Sequence, residues 1–291
     1  MNNLKYLSAI IFILSINFTS CDVIEEPFID LQDNVSDSCE SFNFSEIPNN
    51  PTRKILLEDY TGHKCGNCPR AAEKAEELKE IYGDQLILLA IHAGFFAGNF
   101  GGNFSTDFTT DTGDEWDDFF GNSAAGNPNG MINRVGHPSS HIKQHSQWAQ
   151  IVENQIQTPA KMGLQIMTTL NQNDSLICID VKSEVKQPLS SPLSLNIVLT
   201  ESEIIAYQQD YDANPQEIPD YHHNHVLRKS LTGVWGQPLD LENYENGDYL
   251  INRYSTKIDE NWNTNNMSII AFISNTDTYE ILQVEEIKFT E

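Results

Sequence analysis

Two apolar runs bracket an amphipathic stretch between residues 53 and 94, and this arrangement limits the fold more than any other feature of the chain. The first, "RKILLEDYTG" at 53–62, is short and β-prone and ends in Thr-Gly. The second, "DQLILLAIHAG" at 84–94, is nearly continuous in Leu, Ile and Ala, as a strand buried on both faces must be. Between them Cys68, Ala71, Ala72, Ala75, Leu78, Ile81 and Tyr82 share one helical face, while Glu73, Lys74, Glu76, Glu77, Lys79 and Glu80 take the other. Pro69 suits the first turn of that helix and Gly83 closes it. The order is β-α-β, and a right-handed crossover makes its two strands parallel.

The helix opens on "CGNC", so Cys65 and Cys68 fall at the carboxyl end of the first strand, the edge where open α/β sheets carry their sites. Unpaired N–H groups and partial positive charge at a helix N-terminus favour thiolate over thiol. Cys65, ahead of the helix, is expected to be the more exposed and more acidic thiol, and Cys68 the shielded one. His63, Lys64 and Arg70 add local positive charge to a chain whose net charge is −25. A structural zinc needs four ligands, and no second Cys-x-x-Cys or His-x(3–5)-His completes a set. A local staple is the other reading of the pair, although so small a loop adds little stability. On the residues alone, redox chemistry and a staple both stand.

Between the second strand and Pro128, Phe96, Phe100, Phe104 and Phe108 recur every four residues, but Gly98, Gly101 and Gly102 break a continuous helix. The segment reads either as an aromatic flap that binds an unfolded segment or as aromatics packed under a long loop. Asp111, Asp114, Glu115, Asp117 and Asp118 match no EF-hand spacing and fit a solvated helix start. "NGMINRV" supplies a further strand, and "SSHIKQHSQWAQIVENQI" a helix burying Ile142, Trp148, Ile151, Val152 and Ile156. His141 and His145, four apart, read as exposed polar positions of that helix rather than metal ligands.

From Ala160 the pattern turns to period two, with about seven strand-like runs separated by Asn, Asp, Pro and Gly clusters, as in an antiparallel sandwich of immunoglobulin-like type. In "YHHNHVLR", alternation along a strand puts His223 and His225 on one face, where a structural role is preferred to metal binding. Trp235 reads as core. Cys39 and Cys178 remain after the other cysteines are assigned and are expected to be free.

The first residues, "MNNLKYLSAIIFILSINFTS", carry one Lys, an apolar run and small polar residues directly before Cys21, which reads as a secretory signal followed by a lipidated cysteine. No other run approaches the ~20 apolar residues of a helical span. The acidic, Pro/Asn/Ser-rich stretch behind Cys21 reads as a tether. With 17 Lys plus Arg against 42 Asp plus Glu, the chain lacks the basic surface that nucleic acid requires, and its membrane contact is expected through the lipid alone.

Strand, "CGNC", helix and strand resemble the thioredoxin superfamily. "LLEDYTGHKCGNCPRAAE", "AIHAGFF", "FFGNSAAGNPNGMINR", "HNHVLRKSLTGVWG" and "IIAFISN" resemble, more narrowly, the 28-kDa outer-membrane-protein family of bacterial lipoproteins. The resemblance implies Cys65 as nucleophile, Cys68 as resolving thiol in a reversible Cys65–Cys68 disulfide, Pro128 as a proline, usually cis, beside the pair, and Asp59 as a buried acid assisting proton transfer. Glu58 stands where thioredoxins carry an apolar residue. The domain expectation is a signal at 1–20, an acidic tether at 21–51, an α/β thioredoxin-like domain at 52–158 and an all-β immunoglobulin-like sandwich at 159–291. The functional expectation is a lipid-anchored outer-membrane protein, surface-exposed, exchanging disulfides with cysteines of exported proteins without a cofactor. Its rival is a non-catalytic, adhesin-like lipoprotein that binds a surface ligand and whose Cys-x-x-Cys is inert.

Overall fold

The computed structural model describes residues 39–171, 175–241 and 244–289. Cys21, the signal and the first part of the tether lie outside the described residues.

Strand β1 (Ile55–Thr61), helix α1 (Cys68–Tyr82) and strand β2 (Leu86–His92) form the expected unit, with β1 and β2 parallel from Ile55↔Leu86 to Thr61↔His92. β1 is buried along its whole length, so both of its faces are committed. Ile55 and Leu57 pack under α1 with Ala71, Ala75 and Leu78, while Leu56 and Tyr60 enter a second core on the opposite side. Ile81, expected on the apolar face of α1, is 70% exposed near the helix end. Helix α2 (Asp111–Phe120) starts as its acids predict, with the Thr110 hydroxyl accepting from the Gly113 N–H at 3.0 Å and Asp111 and Asp114 in the first turn. Short helix α3 (Asn122–Ala125) leads to β3 (Asn129–Ile132), which pairs antiparallel with β1. Helix α4 (His145–Ile156) buries Trp148 and Val152. It starts later than its sequence pattern indicated, because Lys143 is drawn into a bridge with Gly130. His141 therefore precedes the helix and is buried, its Nε2 2.9 Å from the Phe120 carbonyl.

Beyond α4 come β4 (Met162–Asn171), β5 (Leu176–Val185), β6 (Leu193–Glu201), β7 (Ile204–Gln209), β8 (Glu217–His223), β9 (Val226–Ser230), β10 (Gln237–Pro238), β11 (Tyr249–Lys257), β12 (Met267–Asn275) and β13 (Ile281–Lys288). They enclose a hydrophobic core of their own, from Met162 to Leu282, but their large sheet is shared with the first half of the chain. One sheet runs β13-β12-β6-β9-β2-β1-β3, with β10 beside β6, and crosses the expected boundary where Val226 of β9 pairs with Ala90 of β2. β6 is buried along its full length and β12 nearly so, and "IVL" and "IIAFI" are the continuous apolar runs that such strands need. Ile197, Leu199, Ile269 and Ala271 face a layer made by β11-β5-β4, whereas Val198, Ile270 and Phe272 join Leu56, Tyr60 and Trp116. The result is a mixed α/β body with additional antiparallel sheets.

The end of the tether is part of this body. Cys39 is disulfide-bonded to Cys178 of β5, contrary to the expectation of free thiols. The reason lies in "SFNFSEI", where Phe42 and Phe44 are half-buried and Ile47 is buried, so the segment follows the sheet instead of leaving it. Gln165 donates to the Ser45 hydroxyl at 2.8 Å and Lys186 to the Ile47 carbonyl at 2.7 Å.

Candidate functional site

The turn between β1 and α1 is closed by its own backbone. The Cys65 N–H donates to the Gly62 carbonyl at 2.9 Å and the Cys68 N–H to the Cys65 carbonyl at 3.1 Å. Pro69 occupies the start of α1, and Cys65 and Cys68 form a disulfide with Cα atoms 5.3 Å apart. The Asn127–Pro128 bond is cis, as expected, and Pro128 precedes Asn129, the residue opposite Tyr60 in the β1–β3 ladder.

Cys65 is not the exposed partner that its position predicted. It is 3% exposed and Cys68 1%, because the β7–β8 hairpin from the second half of the chain lies over the turn. Gln208 donates its amide to the Cys65 carbonyl at 3.1 Å, the Gln209 N–H reaches the His63 carbonyl at 2.8 Å, and the Tyr211 N–H reaches the Gly66 carbonyl at 2.9 Å. The Tyr211 ring lies so close to Gly66 that an added Cβ would meet its Cδ1 at 2.5 Å. Asp210 and Asp212 both pair with Arg70 of α1.

The expected positive cluster is also spent. Arg70 is neutralised by those two aspartates. Lys64 sits 3.7 Å from the centroid of the Phe104 ring. His63 is fully buried against Phe104 and Phe108, with Nε2 2.9 Å from the Gly98 carbonyl, and burial lowers its pKa so that the ring is neutral at pH 7. The aromatic segment divides accordingly: Phe104 and Phe108 are packed beneath the loop, whereas Phe95 and Phe100 are 78% and 42% exposed.

The strand pleat separates the two carboxylates of β1. Glu58 faces away from the disulfide and is held by Arg134, whose Nε and Nη2 donate to it at 3.0 and 2.7 Å. The Arg134 guanidinium lies 4.8 Å from both the Trp116 and Phe120 ring centroids. Asp59 faces α1, and burial pushes its pKa up to about 7. Its Oδ1 has no hydrogen-bond partner. Asp59 and Cys68 line one cavity of about 470 Å³, together with Ala72, His92, Tyr221 and His223.

His223 and His225 do not share a strand face. β8 ends at His223 and His225 adopts a φ of 56°, which interrupts the alternation, and His225 Nε2 instead meets Glu76 at 3.2 Å. Burial brings the His223 pKa down to about 3 and holds His92 well below its ordinary value. Among the described residues no group of three or more His, Cys, Asp or Glu could hold a metal ion. Trp235, expected in the core, is 38% exposed and packs on Phe119 and Tyr279.

The sequence profile of the family described as "Outer membrane protein Omp28" matches residues 115–291. The chain belongs to the Omp28 family. It is by that membership an outer-membrane protein, and no helix of the described residues is long and apolar enough to cross a membrane. The matched span holds Pro128, the β7–β8 hairpin and His223, while the CGNC turn, Asp59 and His92 precede it. Among solved structures, a domain of the outer membrane lipoprotein Omp28 from Porphyromonas gingivalis is similar at 18% identity and a TM-score of 0.31, over 45% of this chain and 89% of that one. Protein AGR_C_4864 from Agrobacterium tumefaciens is similar at 10% identity and a TM-score of 0.47, over 85% of this chain and 97% of that one. No curated protein matches the chain.

Sequence reasoning singled out Cys65, Cys68, Asp59 and Pro128; it did not single out the hairpin Gln208–Asp212, His92 or Tyr221, which the structure places beside the turn or in the cavity. His92 did leave a local signal, an imidazole at the end of an otherwise apolar strand. The hairpin left none, because its contact with the CGNC turn spans more than 140 residues.

Proposed function

We propose that this Omp28-family protein is a lipid-anchored thiol-disulfide exchange protein acting on cysteines of exported proteins, with Cys65–Cys68 as the exchanging pair on a thioredoxin-like unit. The observation that carries the reading is Asp59, a buried carboxyl whose Oδ1 has no partner and whose pKa is about 7, in the same cavity as Cys68. A group with that pKa can take a proton from a thiol or return one near neutral pH. The β1-α1-β2 order supports the unit, and the apolar run before Cys21 supports that cysteine as the anchor.

In the oxidised protein a substrate thiolate attacks Sγ of Cys65, forming a mixed disulfide and breaking the Cys65–Cys68 bond. The departing Cys68 thiolate takes the proton of Asp59. A second substrate thiolate then attacks the substrate sulfur of the mixed disulfide, so the substrate gains a disulfide and Cys65 leaves as a thiolate. Running the steps backwards, with Asp59 as base for Cys68, reduces a substrate disulfide instead.

Equilibration in glutathione buffers, followed by alkylation and peptide mapping, tests the reading. Cys65–Cys68 should reduce reversibly in the folded protein while Cys39–Cys178 stays closed. A second reading, a binding lipoprotein with an inert staple, is favoured by the 3% exposure of Cys65. It takes over if Cys65–Cys68 opens only when the protein unfolds.

A further inference from the structure

The cavity beside Cys68 has a chemical character of its own. At about 470 Å³ it is large enough for a small organic ligand. Its walls are strand and helix: Leu57 and Leu88 below, and Ala72 of α1 alongside. Its polar groups are biased. Asp59 Oδ1 and His223 Nε2 are buried without a partner, on residues 5% and 4% exposed. The backbone of Tyr207 and Ala206 acts on the His223 ring, whose Nε2 is without a partner, and the tautomer with the proton on Nδ1 leaves Nε2 to accept.

Several donors at the wall are already used, while His92 Nδ1 is a third buried atom without a partner. The Gln208 amide donates to the carbonyls of Cys65 and Gln209, His222 Nδ1 meets Glu203, and His225 Nε2 meets Glu76. The mouth is acidic, with Glu73, Glu77 and Glu80 of α1 along it. Burial raises the Asp59 pKa. An acceptor-rich, apolar-walled cavity of this kind is complementary to a donor-rich cation with a short hydrocarbon body. The Tyr221 ring lines the same cavity, with its centroid 4.9 Å from that of His223.

We propose that this cavity binds a protonated primary amine, its ammonium between Asp59 and His223 Nε2 and its alkyl body over Leu57, Leu88 and Ala72. The rim glutamates draw the cation in. A free alkylamine and the lysine side chain of a peptide present the same chemistry. This goes beyond disulfide exchange and is independent of it, because the cavity is formed in the oxidised protein.

Calorimetric titration of the oxidised full chain with n-hexylamine, 1-hexanol and hexanoate at neutral pH decides the matter. Hexylamine should bind with one-to-one stoichiometry, hexanol about tenfold more weakly or worse for want of the charged donor, and hexanoate not at all. Asp59→Asn keeps the shape and should cost about tenfold in hexylamine affinity, and Ala72→Leu should fill the space and abolish binding. As a readout independent of variants, the Asp59 carboxyl followed by carbon NMR should titrate at lower pH with hexylamine present. Acetyl-Gly-Lys-Gly-amide separates the sources: binding of the peptide alone assigns a lysine side chain, binding of hexylamine alone a free amine. Equal binding of amine and alcohol, no binding of either amine, or an unchanged Asp59 titration overturns the proposal.

Discussion

Tyr211 covers Gly66: the ring of a residue in the β7–β8 connection lies on the centre of the CGNC turn and places the disulfide beneath a segment from the other half of the chain. Access to Cys65 therefore depends on how often the hairpin lifts. Its attachments near the turn include the Tyr211 ring, the Gln208 amide, the Gln209 and Tyr211 N–H bonds to His63 and Gly66, and the Arg70 ion pairs with Asp210 and Asp212. Tyr211→Ala and Arg70→Met should each speed reduction of Cys65–Cys68 by dithiothreitol by about tenfold, as loss of one such contact lowers an opening barrier. Stopped-flow quenching with alkylation measures this. Unchanged rates in both variants would show that reductant enters by another route.

Asp59 and His223 give stability opposing pH dependences. Between about pH 4 and 7 Asp59 stays protonated in the fold and ionises in the unfolded chain, so its contribution is lost as pH rises through that window. His223, with a pKa near 3 when folded, is neutral in the fold and charged in the unfolded chain between about pH 3 and 6.5, so its contribution is lost as pH falls. Asp59→Asn removes the first slope. The variant should match the wild type near pH 4 and exceed it above pH 7 by up to about 4 kcal/mol, with stability that now climbs from pH 4 to 6.5. Urea unfolding across that range checks the sign, and a variant parallel to wild type would refute it.

Glu58 and Arg134 form an ion pair inside the protein, 0% and 2% exposed at their side chains. Removing one partner strands the other charge. Arg134→Met should lose about 3–5 kcal/mol, and adding Glu58→Leu should recover most of it. A double mutant less stable than either single one would mean that the packing of Trp116 and Phe120 on the guanidinium outweighs the charge balance.

Cys39–Cys178 pins the end of the tether to β5 across 139 residues of chain. Cys39→Ser with Cys178→Ser should lower stability by roughly 2–5 kcal/mol by loosening the unfolded state's constraint. The same pair of substitutions should leave the reduction potential of Cys65–Cys68 unchanged. Denaturant unfolding and glutathione titration read the two effects separately.

What could be read along the sequence was what neighbouring residues decide. The β1-α1-β2 unit followed from apolar period, Pro69 and Gly83, and α2 from Thr110 and its acids. Errors arose where a distant segment intervened. Lys143 pairing with Gly130 delayed α4, Val226 pairing with Ala90 joined strands from both halves of the chain in one sheet, and the hairpin buried Cys65. "IIAFI" is a strand as expected, but it does not alternate, because it is covered on both faces. The two carboxylates of β1 were legible as a pair, but only the pleat and Arg134 assigned Asp59 to the cavity and Glu58 to the far side.

Replacing Cys68 by Ser leaves Cys65 able to form a mixed disulfide with a substrate but without the sulfur that resolves it. In cells, Cys68→Ser should accumulate disulfide-linked adducts with exported proteins, visible on a non-reducing gel after acid quench and alkylation and lost on reduction. Cys65→Ser should show none, because Cys68 sits at the start of α1 under Pro69 and is 1% exposed. Combining Cys68→Ser with Tyr211→Ala should increase the adducts, since lifting the hairpin opens the path to Cys65. That combination separates a covered site from an inert one. If the double variant traps nothing although its Cys65 alkylates freely, the pair is a staple and the binding-lipoprotein reading holds.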